Sequence, residues 1–324
     1  MTKAIRFHQT GGPEVLRLDE IEVGEPGEGQ ARVRHAAIGV NFIDTYHRTG
    51  LYPLPLPSGL GVEAAGVVEA VGKGVARVKK GDRVAYAGGA PGGYSQVRVM
   101  AADRLVRLPD GIADQQAAGA MLKGLTVQYL ARRTYPVKAG ETVLVHAAAG
   151  GVGLIACQWL KALGATVIGT VGSDEKARLA RAHGCDHAIV YTREDFAARV
   201  KEITKGAGVP VVYDAVGKST FQGSLDCLRP RGLMVSFGNA SGPVPPFDLL
   251  QLSQKGSLFV TRPTLAHYTA TREELEAAAR ELFEVMQSGK VKIEVSATYP
   301  LAEAARAHRD LEARKTTGSV VLLP

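Results

Sequence analysis

Residues 140–161, GETVLVHAAAGGVGLIACQWLK, combine a short apolar segment, a glycine-rich turn and a helical segment. Residues 142–145 are apolar and rich in β-formers, which is typical of a strand buried on both faces of a parallel sheet. Ala147, Gly150 and Gly153 follow at the spacing of the Gly-x-Gly-x-x-Gly fingerprint, with alanine in the first place. Such a turn lets the backbone approach a pyrophosphate, and the helix that follows offers it free N–H groups. The segment therefore predicts a dinucleotide-binding strand, turn and helix.

The next strand indicates which nucleotide to expect. Residues 163–172, LGATVIGTVG, are typical of a helix end followed by a second buried strand, which completes a βαβ unit. About 20 residues after the glycine turn, an NAD site usually carries Asp or Glu for the ribose 2′-hydroxyl, and here the strand has none. Ser173 and Lys176 follow, offering a hydroxyl and a cation to a 2′-phosphate, so NADPH is favoured. Asp174 leaves NAD open, because a tilt of the turn by a residue or two brings its carboxylate to the ribose.

Several ordered motifs carry a resemblance that spans nearly the whole chain. The glycine segment, with alanine at 148 and 149, glycine at 150, 151 and 153, Gln158 and Lys161 in register, resembles the signature of the quinone oxidoreductase and zeta-crystallin group. That group belongs to the medium-chain dehydrogenase/reductase superfamily. The other matching motifs are GGPEVL at 11–16, NFID at 41–44, GxExAGxVxxVG at 61–72, KGLT at 123–126 and VYDAVG at 212–217. The resemblance implies a two-domain subunit, NADPH-dependent reduction of quinones or other activated carbonyl compounds, no zinc, and usually a homodimer.

Composition agrees with a globular enzyme. The 324 residues are 45% hydrophobic and 22% charged, typical of a soluble chain of about two domains. No apolar run reaches the ~18 residues that cross a bilayer, and residues 1–10 lack a signal-peptide core, so we expect a cytoplasmic protein. Cys157, Cys185 and Cys227 are expected to be reduced, buried thiols. The lysines and arginines behind the net charge of +7 are scattered, which favours steering of polyanionic NADPH over nucleic-acid binding.

The pattern along the chain predicts an α/β fold with a doubly wound parallel sheet (Rossmann) domain and a β-rich GroES-like barrel. Residues 1–121 show short β-like runs separated by glycine or proline, and residues 123–259 alternate strands with helices, giving roughly six parallel strands. By resemblance, the tail returns to the first domain. We expect a catalytic domain of residues 1–122 and 266–324, a Rossmann NADPH-binding domain of residues 123–265, and a cleft between them.

The same superfamily contains zinc alcohol dehydrogenases, and the ligands of their catalytic zinc are missing here. Such a site needs three protein ligands, typically Cys and His. Where those enzymes have Gly-His-Glu, this chain has Gly-Val-Glu at residues 61–63; Asn41 takes the approximate place of one cysteine and Leu122 of another. We therefore expect no metal. Isolated histidines such as His35, His47 and His146 are expected to be structural.

Without a metal, a carbonyl has to be polarised by hydrogen-bond donors and by geometry. The segment 41–51, NFIDTYHRTGL, mixes polar and apolar residues, and we take it as a loop that forms one wall of the active site. The candidate catalytic residues are Asn41, Asp44, Tyr46 and Tyr52. Asn41 is expected to hold the nicotinamide ribose or a substrate oxygen. The tyrosines either stack on or donate to the quinone or are packed loop aromatics, and the sequence identifies no general acid.

Cofactor contacts are expected beyond the carboxyl ends of the parallel strands and in segments that match the family. The candidates are Asn41, Phe42, Asp44, Tyr46, Lys123, Thr126, Tyr129, Gly150, Gly151, Val152, Gly172, Ser173, Lys176, Tyr191, Val216, Phe237, Gly238, Asn239, Ser241, Phe259, Arg262, Pro263 and Arg314. Asp214, within VYDAVG, is expected to satisfy local backbone donors instead.

Two alternatives to quinone reduction stay open. The first is NADPH-dependent reduction of an alkenal or enone double bond, which uses the same cofactor face. The second is a non-catalytic RNA-binding or structural, crystallin-like role. For assembly, the apolar strand at residues 256–260 should lie at an edge of the sheet, where pairing with its symmetry mate would protect it, so we expect a homodimer.

Overall fold

The computed structural model describes residues 1–324, which form two compact units. The first unit comprises Met1–Leu125, Tyr268–Gln287 and Ile293–Pro324, and the second comprises Thr126–His267 and Ser288–Lys292. None of the helices combines the length and apolar character that a membrane crossing requires.

The strands, in chain order, are β1 (Thr2–Phe7), β2 (Arg17–Ile21), β3 (Gln30–Val40), β4 (Ser58–Gly59), β5 (Glu63–Val71), β6 (Arg83–Ala87), β7 (Val97–Ala101), β8 (Val106–Arg107), β9 (Thr142–Val145), β10 (Thr166–Val171), β11 (His187–Val190), β12 (Val209–Asp214), β13 (Leu228–Ser236), β14 (Phe259–Thr261), β15 (Val295–Pro300) and β16 (Ser319–Leu323). The helices are α1 (Phe42–Thr49), α2 (Asp114–Tyr129), α3 (Gly151–Ala162), α4 (Asp174–Ala182), α5 (Phe196–Ile203), α6 (Phe221–Asp226), α7 (Leu250–Gln254), α8 (Leu265–Tyr268), α9 (Arg272–Gln287) and α10 (Ala304–Glu312).

The first unit is built on antiparallel pairing. A seven-stranded sheet has the order β15-β16-β3-β5-β6-β8, with β7 also paired to β3, and a three-stranded sheet has the order β2-β1-β4. The long strand β3 pairs with β5, β7 and β16 along its length, so it organises the sheet. The hydrophobic core of the first unit includes Phe7, Ile38, Leu60 and Tyr94, all fully buried.

The second unit contains the predicted six-stranded parallel sheet, in the order β11-β10-β9-β12-β13-β14. The chain order reverses between β9 and β12, which is the position where doubly wound sheets bind ligands. Both faces are covered, and Leu144, Ile168, Val212 and Met234 on the four central strands are buried. The predicted Rossmann fold is therefore confirmed, with β14 at an edge as expected.

Two helices, α1 and α2, depart from the sequence-based expectation of strands and loops. The segment expected to be an active-site loop is largely helix α1, which begins after Asn41 and ends at Gly50, whose φ of 83° is left-handed. The 16-residue helix α2 is buried along most of its circumference. Its sequence therefore has no clear amphipathic pattern that would predict a helix.

Candidate functional site

The glycine-rich turn after β9 has the close backbone approach that its spacing predicts. Ala147 stands in the first fingerprint position with a left-handed φ of 54°. Gly150 caps α3 in an extended conformation. A Cβ on Gly153 would lie 2.2 Å from the carbonyl oxygen of Ala147, so only glycine fits there. Gly151 and Val152 form the first turn of α3, whose backbone N–H groups lack partners within the helix and suit a phosphate.

The segment after β10 is paired with a cation that the sequence motifs did not identify. Ser173 caps α4 by accepting a hydrogen bond from the backbone N–H of Lys176 at 3.3 Å. Arg193 donates to both carboxylate oxygens of Asp174, at 2.6 and 2.7 Å, and this pairing lowers the pKa of Asp174. Asp174 is thus already engaged by a guanidinium. Reasoning from strand ends could have found Arg193, because it follows β11 by three residues.

Gly172 and Tyr191 lie together at the same edge of the sheet. A Cβ added to Gly172 would be 3.0 Å from the Tyr191 hydroxyl oxygen, so the phenol ring reaches across the glycine. Tyr191 is 41% exposed, which leaves part of its side chain open to a ligand. The structure therefore brings these two predicted contact residues together, and Ser173 follows Gly172 directly in the chain.

A buried polar network fixes the loop after β12. Asp214 accepts hydrogen bonds from the backbone N–H groups of Val216, at 2.7 Å, and Gly217, at 3.0 Å, as the sequence suggested. Its other oxygen accepts from the hydroxyls of Thr220, at 2.7 Å, and Ser224, at 3.0 Å. Asp214 is fully buried, so its role is to hold the loop that presents Val216.

His146 extends this network towards β10. Its Nδ1 lies 2.8 Å from the Thr170 hydroxyl and its Nε2 lies 2.9 Å from the Ser224 hydroxyl. Burial lowers the pKa of His146, so the ring is neutral at pH 7. The expectation of a structural role is met, because the histidine ties together the ends of β9 and β10 and the start of α6.

The loop after β13 is anchored by two side chains. Arg262 donates to the Ser236 hydroxyl at 3.1 Å and to the Gly238 carbonyl at 3.0 Å. Ser241 donates to the carbonyl of Val216 at 2.8 Å, which joins this loop to the one after β12. Phe237 and Asn239 lie half-buried between these anchors, whereas Phe259 on β14 is 61% exposed. Pro263 follows Arg262 and is half-buried.

In the first unit, Asn41 and Asp44 are joined at the N-terminus of α1. Asp44 accepts a hydrogen bond from the Asn41 backbone N–H at 2.8 Å, which is one half of a capping box. The side-chain amide nitrogen of Asn41 donates to Glu63 Oε2 at 2.8 Å. Asp44 is fully buried, and burial raises the pKa of its carboxyl to about 7.

Glu63 gathers three donors at the carboxylate. Besides the Asn41 amide, the backbone N–H of Leu122 donates to it at 2.6 Å and Lys123 Nζ lies at 3.2 Å. Glu63 is fully buried and Lys123 nearly so, which makes this a desolvated ion pair. Lys123 therefore has its ion-pair partner, Glu63, within its own unit. The sequence did not predict this contact.

The aromatic residues of the predicted wall pack on one another. The rings of Tyr46 and Tyr52 meet edge to face with centroids 5.3 Å apart, and Phe42 lies 6.4 Å from Tyr46. Tyr46 is buried and Tyr52 is half-buried. Of the two expectations for the tyrosines, packing is thus observed, and it leaves part of Tyr52 accessible.

Three further residues are predicted to contact the cofactor: Thr126, Tyr129 and Arg314. Thr126, half-buried, and Tyr129, buried, lie on α2. Arg314, exposed, follows α10 with a left-handed φ of 58°.

The side chains present do not fit a catalytic zinc ion. No group of three or more His, Cys, Asp or Glu side chains is arranged to hold a metal. Glu63, the one possible ligand retained from the Gly-His-Glu motif, is instead committed to Asn41, Leu122 and Lys123. We derive no chemical step through a metal here.

Comparison with known proteins gives matches along the full length of the chain. Residues 27–110 match the alcohol dehydrogenase GroES-like domain and residues 151–284 match the zinc-binding dehydrogenase model. The chain is 61% identical over 325 residues to a quinone oxidoreductase of Pseudomonas aeruginosa, covering 100% of both proteins. It is 49% identical over 332 residues to a 2-haloacrylate reductase of a Burkholderia species, covering 100% of this chain and 99% of the relative.

A solved structure agrees with these matches. The crystal structure of Escherichia coli quinone oxidoreductase complexed with NADPH aligns with a TM-score of 0.98 at 56% identity, covering 99% of this chain and 100% of that chain. The resemblance in the sequence motifs is thereby confirmed. With a GroES-like unit, a parallel sheet of the Rossmann type and full-length relatives that include quinone oxidoreductases at 61% and 56% identity, the chain belongs to the quinone oxidoreductase group of the medium-chain dehydrogenase/reductase superfamily.

Proposed function

We propose that this protein is an NADPH-dependent oxidoreductase that reduces quinones by hydride transfer without a catalytic metal. The observation that carries the proposal is the intact glycine turn, closed by Gly153 against Ala147, in a chain whose full-length relatives include quinone oxidoreductases at 61% and 56% identity. The close relative from Escherichia coli was crystallised with NADPH, which supports this cofactor.

The second unit supplies the nucleotide-binding groups. The first-turn N–H groups of α3, at Gly151 and Val152, would hold the pyrophosphate. Ser173, Lys176 and Arg193 are the groups we assign to the 2′-phosphate, since a hydroxyl and two cations converge after β10 and β11. The loops held by Asp214 and Arg262 would line the remainder of the nucleotide.

The first unit supplies the groups for the acceptor. NADPH, when bound, supplies the hydride. We assign Asn41 to orienting the nicotinamide ribose or the substrate oxygen, with its amide fixed by Glu63 at 2.8 Å. Tyr52, packed edge to face on Tyr46, would present a rigid surface to a flat quinone ring. The buried Lys123 ammonium would contribute positive potential as charge develops on a quinone oxygen.

The function is tested by following the oxidation of NADPH with 1,4-benzoquinone as acceptor. The loss of absorbance at about 340 nm reports this oxidation, because the reduced nicotinamide that supplies the hydride absorbs there. We expect turnover with NADPH and much slower turnover with NADH. No quinone-dependent oxidation by folded protein that binds NADPH would refute the proposed reaction. Binding of single-stranded RNA at physiological salt without NADPH affinity would favour the crystallin-like alternative.

Reduction of an activated double bond is the second candidate. The 2-haloacrylate reductase relative favours it, because that protein's name denotes a substrate with a conjugated carbon–carbon double bond. A parallel assay with an alkenal discriminates between the two. A higher kcat/KM with the alkenal than with the quinone would replace our first choice.

We also propose a homodimer formed through the edge of the parallel sheet, in a reducing, cytoplasmic compartment. The edge strand β14 presents Phe259 with 61% of its surface exposed, and an apolar edge is a liability unless it is covered. The three cysteines are all free and buried, which supports a reducing compartment.

A further inference from the structure

A line of hydrogen bonds joins Asp44 to an ion pair near the surface of the first unit. The Tyr94 hydroxyl lies 2.9 Å from Asp44 Oδ2 and 3.1 Å from His308 Nε2. His308 Nδ1 lies 3.0 Å from Arg48 Nη1, and Arg48 pairs with Glu312 through contacts of 2.6 and 3.0 Å. Asp44, Tyr94, His308 and Arg48 are essentially inaccessible to solvent. A buried polar chain of this length requires an explanation.

The chemistry of the groups fixes the direction of these hydrogen bonds. A guanidinium only donates, so His308 Nδ1 accepts from Arg48 and the ring proton lies on Nε2. Burial and the Arg48 charge lower the pKa of His308 to about 3, so the ring is neutral. Nε2–H then donates to the Tyr94 oxygen, and the Tyr94 hydroxyl donates to Asp44. Every donor in the chain points towards Asp44.

The charges that face Asp44 come from several elements. Glu63 on β5 and Lys123 on α2 both act on it electrostatically, Tyr94 donates to it directly, and Arg48 and His308 act through Tyr94. Lys123 is paired with Glu63, which also accepts from Asn41 and Leu122. Asp44 has no cation within ion-pair distance, and its Oδ1 is buried without a hydrogen-bond partner. Burial without a paired cation therefore favours the protonated form of Asp44 and raises the pKa of its carboxyl to about 7.

We propose that Tyr94 and His308 are positioning residues for the reaction, which hold Asp44 in place and set the pH at which it ionises, and that the enzyme is active with Asp44 neutral. This inference rests on the proposed quinone reduction. It assigns roles to two residues, on the segment before β7 and on α10, that the sequence motifs do not include.

The reason lies in the charge of the cluster formed by Asp44, Glu63 and Lys123. With Asp44 protonated, the cluster is neutral overall, and with Asp44 ionised, it carries a net negative charge. Hydride transfer to a quinone places negative charge on the quinone oxygen. A second buried carboxylate opposes that charge in a low-dielectric environment, so ionisation of Asp44 should slow the reaction.

The test is the pH dependence of kcat/KM for quinone reduction. Wild-type activity should decline above about neutral pH. Tyr94→Phe should move the midpoint of that decline upwards by about one pH unit, because it removes a hydrogen bond that stabilises the carboxylate. His308→Leu should move it in the same direction by less. Asp44→Asn should abolish the decline.

Tyr86→Phe is the matched control. Tyr86 is a second fully buried tyrosine in the same unit whose hydroxyl lies 3.0 Å from a histidine nitrogen, in this case His35 Nε2. It makes no hydrogen bond to Asp44, so its removal should leave the midpoint where the wild type has it. Equal midpoints for Tyr94→Phe and Tyr86→Phe would overturn the inference.

A second readout does not depend on turnover. Infrared spectroscopy of the protein without substrate should show a protonated carboxyl band that is lost as pH rises through neutrality, is absent in Asp44→Asn, and persists to higher pH in Tyr94→Phe. A band unaffected by Asp44→Asn would overturn the inference. If these shifts occur in protein that does not reduce quinones, the proposed function fails, and the positioning role of Tyr94 and His308 is supported.

Discussion

Arg193 and Asp174 form a two-bond ion pair, with nitrogen–oxygen distances of 2.6 and 2.7 Å, directly after β11 and at the start of α4. Asp174 was the one residue that kept NAD open in the sequence, since a free carboxylate there would bind a ribose 2′-hydroxyl. Its pairing with Arg193 places a cation where a 2′-phosphate is expected. The pair is exposed, so it contributes little to the stability of the fold.

The first prediction concerns this selection. Lys176→Ala should weaken NADPH binding by roughly 1 to 3 kcal/mol, the range for charge-assisted contacts, and barely alter NADH binding. Arg193→Ala should also weaken NADPH, and it should improve NADH binding, because it frees Asp174 for the ribose. Fluorescence titration with both nucleotides measures these effects. Equal losses for NADPH and NADH in Lys176→Ala would rule out its contact with the 2′-phosphate.

The second prediction concerns the glycine turn. Gly153→Ala places a Cβ 2.2 Å from the Ala147 carbonyl oxygen, a backbone atom that cannot move aside alone. We expect a loss of about 1 to 3 kcal/mol in unfolding free energy, as for other overpacked sites, and loss of NADPH binding. Gly150→Ala is the graded control, since its Cβ would lie 3.3 Å from the same oxygen. Denaturant unfolding measures the unfolding free energy and titration measures NADPH binding. Equal losses in Gly153→Ala and Gly150→Ala would contradict the prediction.

The glycine turn and the parallel sheet were predictable because their signals are local. Glycine spacing reports a backbone approach within seven residues, and unbroken apolar runs such as residues 142–145 report strands buried on both faces. The strand ends then follow from the rule that ligands bind at the carboxyl edge of the sheet, which also brings Tyr191 and Gly172 together.

Helix α1 was not predictable in the same way, since distant residues determine its environment. Arg48 has a side chain only 1% exposed, although arginine is normally a surface residue. Its partners are His308 and Glu312, more than 250 positions further along the chain. Likewise, Glu63 was recognised as the remnant of a zinc motif, but its bond to Lys123 depends on how β5 meets α2. A single sequence contains no local pattern for such contacts.

The third prediction concerns assembly. Phe259→Lys on β14 should convert the proposed dimer to a monomer, because it places a charge on the exposed apolar edge. Sedimentation velocity at micromolar concentration measures the change. Leu249→Lys, at an exposed residue just before α7, serves as a comparison outside the strand. A wild-type protein that sediments only as a monomer would refute the dimer itself.

The last prediction concerns stability in acid and follows from His35. This histidine is buried, its Nδ1–H donates to the Ser95 carbonyl at 2.6 Å, and its Nε2 accepts from the Tyr86 hydroxyl at 3.0 Å. Burial lowers the pKa of His35 to about 4, below the ordinary histidine value of 6.5. Between those values the unfolded chain binds a proton that the folded protein does not, so the free energy of unfolding falls as pH falls through this window.

We expect His35 to contribute a loss of about 1 kcal/mol per pH unit between pH 6 and 4.5, measured by urea denaturation. His35→Gln retains a polar side chain but cannot take up this proton. It should be less stable than the wild type at pH 7, where a buried hydrogen bond is lost, and should lose less stability on acidification. Parallel slopes for the wild type and His35→Gln would show that His35 does not account for the acid sensitivity.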